Sequence, residues 1–81
     1  MIDELESVVL TTDLPEHNLR AGDIGTVVMV HEAGRGYSVE FLTLRGATLA
    51  VVTLEADQVR RIEPNEIAHV RQVAVAYGIH A

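Results

Sequence analysis

Short apolar or alternating runs, separated by polar residues, recur from the start of the chain to residue 62. The clearest run is Tyr37-Ser38-Val39-Glu40-Phe41, which is typical of a strand with one buried face and one face in water. Comparable runs, rich in β-branched residues, recur at intervals of roughly eight to ten residues and are separated by turn-forming residues. The pattern predicts five strands, at residues 6–11, 24–31, 37–41, 48–54 and 58–62. Short strands joined in this way indicate a small antiparallel barrel.

Gly25 interrupts the second predicted strand, within the stretch LRAGDIGTVVMV at residues 19–30. A glycine inside a strand has no side chain to pack and often marks a bulge or a sharp bend. A barrel of this size must bend its strands strongly to close. We therefore predict that Gly25 lies at a bend or bulge of the second strand.

The second and fourth predicted strands are apolar on both faces. One face of each would point into the core, and the residues assigned to it are Ile24, Val28, Val30, Ala50, Val52 and Leu54. A strand that is apolar on both sides is usually covered on both sides, whereas one barrel core covers only one. The apolar residues assigned to the outer faces, which need a second cover, are Val27, Met29, Leu49 and Val51.

Residues 64–81 follow a different pattern and form a tail after the predicted barrel domain of residues 1–63. Apolar side chains recur every three to four positions at Ile67, Val70, Val73 and Tyr77, and Gly78 stands where a helix cap belongs. This spacing favours an amphipathic C-terminal helix. The alternation of Val73, Val75 and Tyr77 leaves an extra strand as the alternative. Either element would pack its apolar face on the barrel or on a second subunit.

The chain is short for a domain that must stabilise itself. At 81 residues it buries a limited share of its surface, and without cysteine it has no disulfide or thiolate metal site. Small domains of this kind often gain the missing stability by binding a partner chain. We therefore predict a homo-oligomer, with a dimer favoured, and the alternative is a tail that folds back on its own barrel. The candidate interface comprises Val27, Met29, Leu49, Val51, Ile67, Val70, Val73 and Tyr77.

Charge and hydropathy narrow the classes of partner. Twelve acidic residues stand against six arginines, there is no lysine, and the net charge is −6. Nucleic-acid binding depends on neutralising phosphates, so this balance argues against it. No apolar run approaches the roughly 20 residues of a membrane span. The acidic N-terminal stretch is unlike a secretory signal, and we expect a cytoplasmic protein without membrane contact.

Candidate chemistry is sparse along the chain. The histidines have no metal-ligand spacing, and neither serine stands in a nucleophile elbow. Asp13 and Glu16 flank Pro15 and could act as acid and base, but a role in capping loop amides is favoured. The pair Arg60-Arg61 is expected to meet acids such as Glu55, Asp57 or Glu63. The sequence therefore predicts a protein that is not an enzyme and has no catalytic, metal or cofactor site.

Four blocks occur in an order that resembles a known family. They are DLPE at residues 13–16, GDIGTVV at 22–28, YSVEF at 37–41 and TLEADQVR at 53–60. Over roughly residues 3–62 the chain resembles the DUF4926 family of small bacterial proteins of unknown function. The resemblance implies an SH3-like barrel and brings no activity. The GDIGTVV block alone is also similar to the KOW motif of ribosomal and transcription proteins.

Two functions follow as expectations. The first is a non-enzymatic protein-interaction module that self-assembles or binds a protein partner. SH3-like barrels often bind partners in the groove between their loops, here residues 12–23, 32–36 and 43–47, although a fold does not determine a function. The alternative is a nucleic-acid-binding KOW-like module, against which the acidic charge argues.

Overall fold

Five antiparallel strands form one sheet in the computed structural model, which describes residues 1–73. The strands are β1 (Ser7–Leu10), β2 (Ile24–His31), β3 (Gly36–Leu42), β4 (Thr48–Glu55) and β5 (Val59–Arg61). Two 3-10 helices, Pro15–His17 and Ala56–Gln58, lie in the connections. All five strands were predicted, and each predicted end lies within one residue of the observed one. Among residues 1–73, no helix is long and apolar enough to cross a membrane.

The order of the strands in the sheet is β4-β3-β2-β1-β5. β1 is paired on both sides, with β2 and with β5, and β3 lies between β2 and β4. Within the described residues β4 and β5 do not pair with each other, so the strands form an open sheet rather than a closed barrel. The mostly β, antiparallel fold predicted from the sequence is confirmed.

One face of the sheet carries the core. The alternation predicted for β3 is confirmed, because Tyr37, Val39 and Phe41 are all buried. They pack with side chains from β1, β2 and the loop before β2, and no polar or charged residue is buried among residues 1–73. The largest fully buried side chains are Phe41, Leu10, Val8, Val27 and Val39. Burial of apolar surface is therefore the main stabilising term of this small domain.

The faces predicted for β2 are wrong as far as Val28, because the strand contains a bulge. Met29 and Val30 lie on the outer and core faces as predicted. Val27 pairs with Val39 and Met29 with Ser38, so Val28 is an extra residue in the ladder. An extra residue reverses the inward and outward alternation. Val27, which we predicted on the outer face, is fully buried in the core, and the predicted core residues Ile24 and Val28 are exposed. Val27 therefore cannot contribute to an outer surface.

Gly25 does not lie at this bulge. It pairs in regular register with Val8 of β1, so the bulge predicted at Gly25 is wrong, and the irregularity comes after Val27. Glycine is required here because there is no room for a side chain at this position. A Cβ atom built on Gly25 would lie 2.5 Å from Cγ1 of Val39 and 2.9 Å from Cε1 of Phe41. The core of β3 thus packs against the bare backbone of β2.

A second irregularity affects β4. Phe41 pairs with Ala50 and Leu42 with Thr48, which leaves Leu49 as an extra residue on β4. Leu49 is half-buried and packs against the core, so its predicted place on the outer face is wrong. Val51 lies on the outer face as predicted and is 58% exposed.

The tail differs from both predicted forms as far as residue 73. After a turn at 64–65, residues 66–73 are neither helix nor strand, and Ile67 and Val70 are 92% and 71% exposed. The side chains of Glu66 and Arg71 are held by two different parts of the domain, Arg60 on β5 and Asp23 before β2. These contacts hold residues 66–73 in a course along the surface. A helix as short as this segment would contribute little stability of its own to compete with the two ion pairs. Tyr77, Gly78 and the rest of the predicted element lie outside the described residues.

Candidate functional site

An apolar groove of about 740 Å³ lies between the sheet and the tail. Its walls come from the end of the loop before β2, the turn after β3, the end of β5 and tail residues 66–71 and 73. Two of the three loops predicted to frame a binding groove, 12–23 and 43–47, contribute to these walls. The third, 32–36, does not line the groove.

The floor and the rim of the groove differ in exposure. The floor includes Val9, Leu19 and Phe41, which are buried core residues. The rim carries large apolar side chains that are open to solvent, namely Ile24, Leu42, Leu44, Ile62, Ile67 and Val70. Single exposed apolar residues are ordinary on protein surfaces, but a contiguous group around one groove marks an interaction surface.

An ion pair ties the start of the tail to β5. Arg60 donates from Nη1 to Oε1 of Glu66 at 2.9 Å and from Nη2 to Oε2 at 2.6 Å. The Glu66 carboxylate also accepts a hydrogen bond from the backbone N–H of Glu63 at 2.7 Å. The Arg60 hydrogen bonds and then the Glu63 amide lower the pKa of Glu66 to about 2. Such bidentate pairing fixes orientation as well as distance.

A second ion pair ties the tail to the loop before β2. Arg71 donates from Nε to Oδ1 of Asp23 at 2.9 Å, and its Nη2 contacts both Oδ2 of Asp23 and the carbonyl of Asn18. Asp23 Oδ2 also accepts from the backbone N–H of Arg20 at 2.7 Å. Burial acts to raise the pKa of Asp23, but the hydrogen bonds from Arg71 and Arg20 outweigh it and hold that pKa below its ordinary value. The tail is therefore held on two sides of the groove.

Acid should release the Arg60–Glu66 contact. The folded pKa of Glu66, about 2, lies below the free value of 4.5, so ionised Glu66 favours the attached tail above pH 4.5. This contribution should be lost as the pH falls from 4.5 towards 2. An NMR titration of the Glu66 side-chain carboxyl carbon measures the midpoint, and Glu66→Gln should remove the accompanying shifts at Arg60. A Glu66 midpoint near 4.5 would contradict the ion pair.

The structure separates the eight candidate interface residues. Leu49, Ile67, Val70 and Val73 line the groove. Met29 and Val51 are exposed on the outer face of the sheet, away from the core. Val27 is in the core, and Tyr77 lies outside the described residues. The predicted surface is therefore two surfaces, a groove and an outer sheet face.

Four rim residues were not among the candidates. Ile24 was assigned to the core, Leu42 and Leu44 stand beside and in the turn after β3, and Ile62 ended the fifth predicted strand, to which no faces were assigned. The available signal was composition, because the end of β3 and the turn after it carry two leucines in the sequence Phe41-Leu42-Thr43-Leu44. Exposed leucines in a turn are candidates for contact with a partner.

The polar residues singled out in the sequence have structural partners. Asp13 Oδ1 accepts a hydrogen bond from the backbone N–H of Ala21 at 2.9 Å, which confirms its role in capping the loop. Arg60 and Arg61 do meet acids, but these are Glu66 and Glu6 rather than the expected ones. Among residues 1–73, no three histidine, aspartate or glutamate side chains are grouped so that they could hold a metal ion.

A family model described as a domain of unknown function, DUF4926, matches residues 4–61. The chain belongs to the DUF4926 family. The match ends at the last residue of β5, so the part of the tail that closes the groove lies beyond the matched DUF4926 region. No curated protein and no solved structure matches the chain.

Proposed function

We propose that this DUF4926 protein is a non-catalytic protein-interaction module whose groove receives an apolar segment of a protein partner. The observation that supports this most strongly is the ring of exposed apolar side chains around a floor of buried core residues. Covering such side chains gives roughly 25 cal/mol for each Å² of apolar surface removed from water. The partner is therefore recognised mainly by shape and apolar character.

The charges beside the groove support a protein partner rather than a nucleic acid. Arg60, Arg61 and Arg71 are each engaged by a carboxylate, on Glu66, Glu6 and Asp23 respectively. Half of the positive side chains in a chain of net charge −6 are thus already neutralised within the protein. Phosphate binding would need free cations, so the KOW-like alternative has little support.

The same proposal includes self-association as a homo-oligomer, with a dimer favoured. Met29 and Val51 are exposed on the outer face of the sheet, where no core covers them. The chain has no cysteine and therefore needs no oxidising compartment to form disulfides, which supports a cytoplasmic location. No cofactor is part of the proposal, and the module acts by binding alone.

Charge placed on the groove rim should weaken partner binding strongly. Ile67→Asp with Val70→Asp puts two carboxylates where the apolar partner would lie, without touching a buried residue. The full-length wild type and variant are used as baits in extracts of the source cell, and the retained proteins are quantified. We expect a set of proteins retained by the wild type to fall at least roughly tenfold with the variant, because each buried unpaired charge is costly.

Leu5→Asp is the matched control for this experiment. Leu5 is 79% exposed, does not line the groove and has a left-handed backbone (φ 69°), which aspartate tolerates. It should retain the same proteins as the wild type. If the groove variant retains the wild-type set unchanged, the groove is not the binding surface.

A further inference from the structure

We propose that the free edge of β4 pairs, antiparallel, with β4 of a second copy of this chain. This rests on the self-association proposed above and names the surface responsible for it. A sheet edge presents a row of N–H and C=O groups, which can be completed by another strand. Because a strand that pairs antiparallel with its own copy forms a twofold interface, such pairing closes at a dimer.

The register of β3 and β4 shows which groups of β4 face the free edge. The N–H of Ala56 donates to the carbonyl of Arg35 at 3.1 Å, one step beyond the pair Gly36–Glu55. In an antiparallel ladder, alternate residues direct their N–H and C=O to the partner strand. Hydrogen bonds to β3 therefore come from the backbone of Leu54, Val52 and Ala50. The backbone N–H and C=O groups of Val51 and Thr53 point away from β3.

The backbone N–H of Glu55 is consistent with this assignment and marks the end of the free edge. This N–H also points away from β3, and it donates to Oε1 of Gln58 at 2.8 Å within the capping box of the following 3-10 helix. Val51 and Thr53 have no such partner among residues 1–73, where β4 is the last strand of the sheet. Both residues are exposed. Their amides and carbonyls are the groups that a second strand would bond.

The two edges of the sheet differ in protection. β5 has three residues, two of them arginine, and Arg60 is held by the tail through Glu66. Short length and charge are the usual means of blocking an edge. β4 has eight residues, TLAVVTLE, with no proline and no charge before its last position. Among residues 1–73, β4 therefore lacks both the short length and the charge that protect β5.

The sequence of β4 is compatible with pairing to itself. A twofold axis at Val52 places Val51 of one copy opposite Thr53 of the other, and both free amides of each copy then find a carbonyl acceptor. The same register places Glu55 opposite Leu49 rather than opposite a second Glu55. The like charges of the two copies are thus kept apart, and Val51 gains cover on the outer face.

Amide hydrogen exchange of the unmodified protein tests the pairing directly. The amides of Val51 and Thr53 should be protected at high protein concentration and should exchange rapidly on dilution. The amide of Val52 bonds β3 and should stay protected at both concentrations. Sedimentation over the same concentration range should show a monomer–dimer equilibrium.

Two substitutions at residue 53 distinguish the contribution of the backbone N–H to dimerisation from that of the side chain. Thr53→Pro removes the outward N–H and leaves the bonds to β3 in place, so it should weaken dimerisation at least roughly tenfold. Thr53→Val keeps the N–H and should dimerise like the wild type.

The outcomes of these experiments distinguish the proposed β4 interface from the more general proposal that the protein self-associates. A wild type that stays monomeric at high micromolar concentration overturns both proposals. A dimer whose Val51 and Thr53 amides exchange rapidly overturns the edge and leaves self-association standing. Protection of these two amides at dilutions where sedimentation shows a monomer also overturns it, because the strand on the edge would then come from the same chain.

Discussion

Replacing Phe41 by alanine should cost about 3–5 kcal/mol of unfolding free energy, the usual range for a phenylalanine removed from a core. Phe41 is 1% exposed, lies on β3 between two neighbouring strands and forms part of the groove floor. A small domain has only about 5–15 kcal/mol of stability in total, so this loss would be a large fraction of it. Urea denaturation followed by circular dichroism measures the loss.

The neighbouring Leu42→Ala variant is the control for this measurement. Leu42 is 44% exposed on the groove rim, so its truncation leaves no closed cavity and should change stability by at most roughly 1 kcal/mol. Equal losses for the two variants would show that the buried and exposed sides of β3 have been assigned wrongly. A small loss for Phe41→Ala alone would show that the core collapses around the missing ring.

The strands could be predicted from the sequence because their signal is local. β3 alternates without interruption, and turn-forming residues mark the ends of every strand. The faces of β2 and β4 could not be predicted in the same way. Val27 and Val28 are identical side chains in adjacent positions, and only the pairing with β3 decides which one is buried. A bulge is a property of two strands together, so no pattern within one of them reveals it.

The candidate site was predictable in part for the same reason. The tail residues Ile67 and Val70 and two of the three framing loops were identified from apolar spacing and loop position. The course of the tail was not, because it depends on two ion pairs to distant parts of the chain, through Glu66 and Arg71. Helical spacing describes what a segment could bury, whereas these contacts decide where it lies.

Gly25→Val should be the second most damaging substitution, with a loss of about 3 kcal/mol from overpacking. The position is buried, and even the first added carbon would lie 2.5 Å from Cγ1 of Val39, 2.9 Å from Cε1 of Phe41 and 3.0 Å from the carbonyl oxygen of Glu40. The two side chains could shift only within a core that is already close-packed, and the carbonyl belongs to the backbone of β3, which pairs with β2. The shift of the denaturation midpoint measures the loss.

A double-mutant cycle identifies the cause of that loss. Gly25→Ala adds only the clashing carbon, and Val39→Ala removes its nearest neighbour, Cγ1 of Val39. If crowding is responsible, the double variant should be more stable than the sum of the single effects predicts, by about 1 kcal/mol. Strict additivity would mean that Gly25 is required by its backbone conformation instead. Crowding is the expected result, because Gly25 pairs regularly with Val8 and is not among the residues with positive φ.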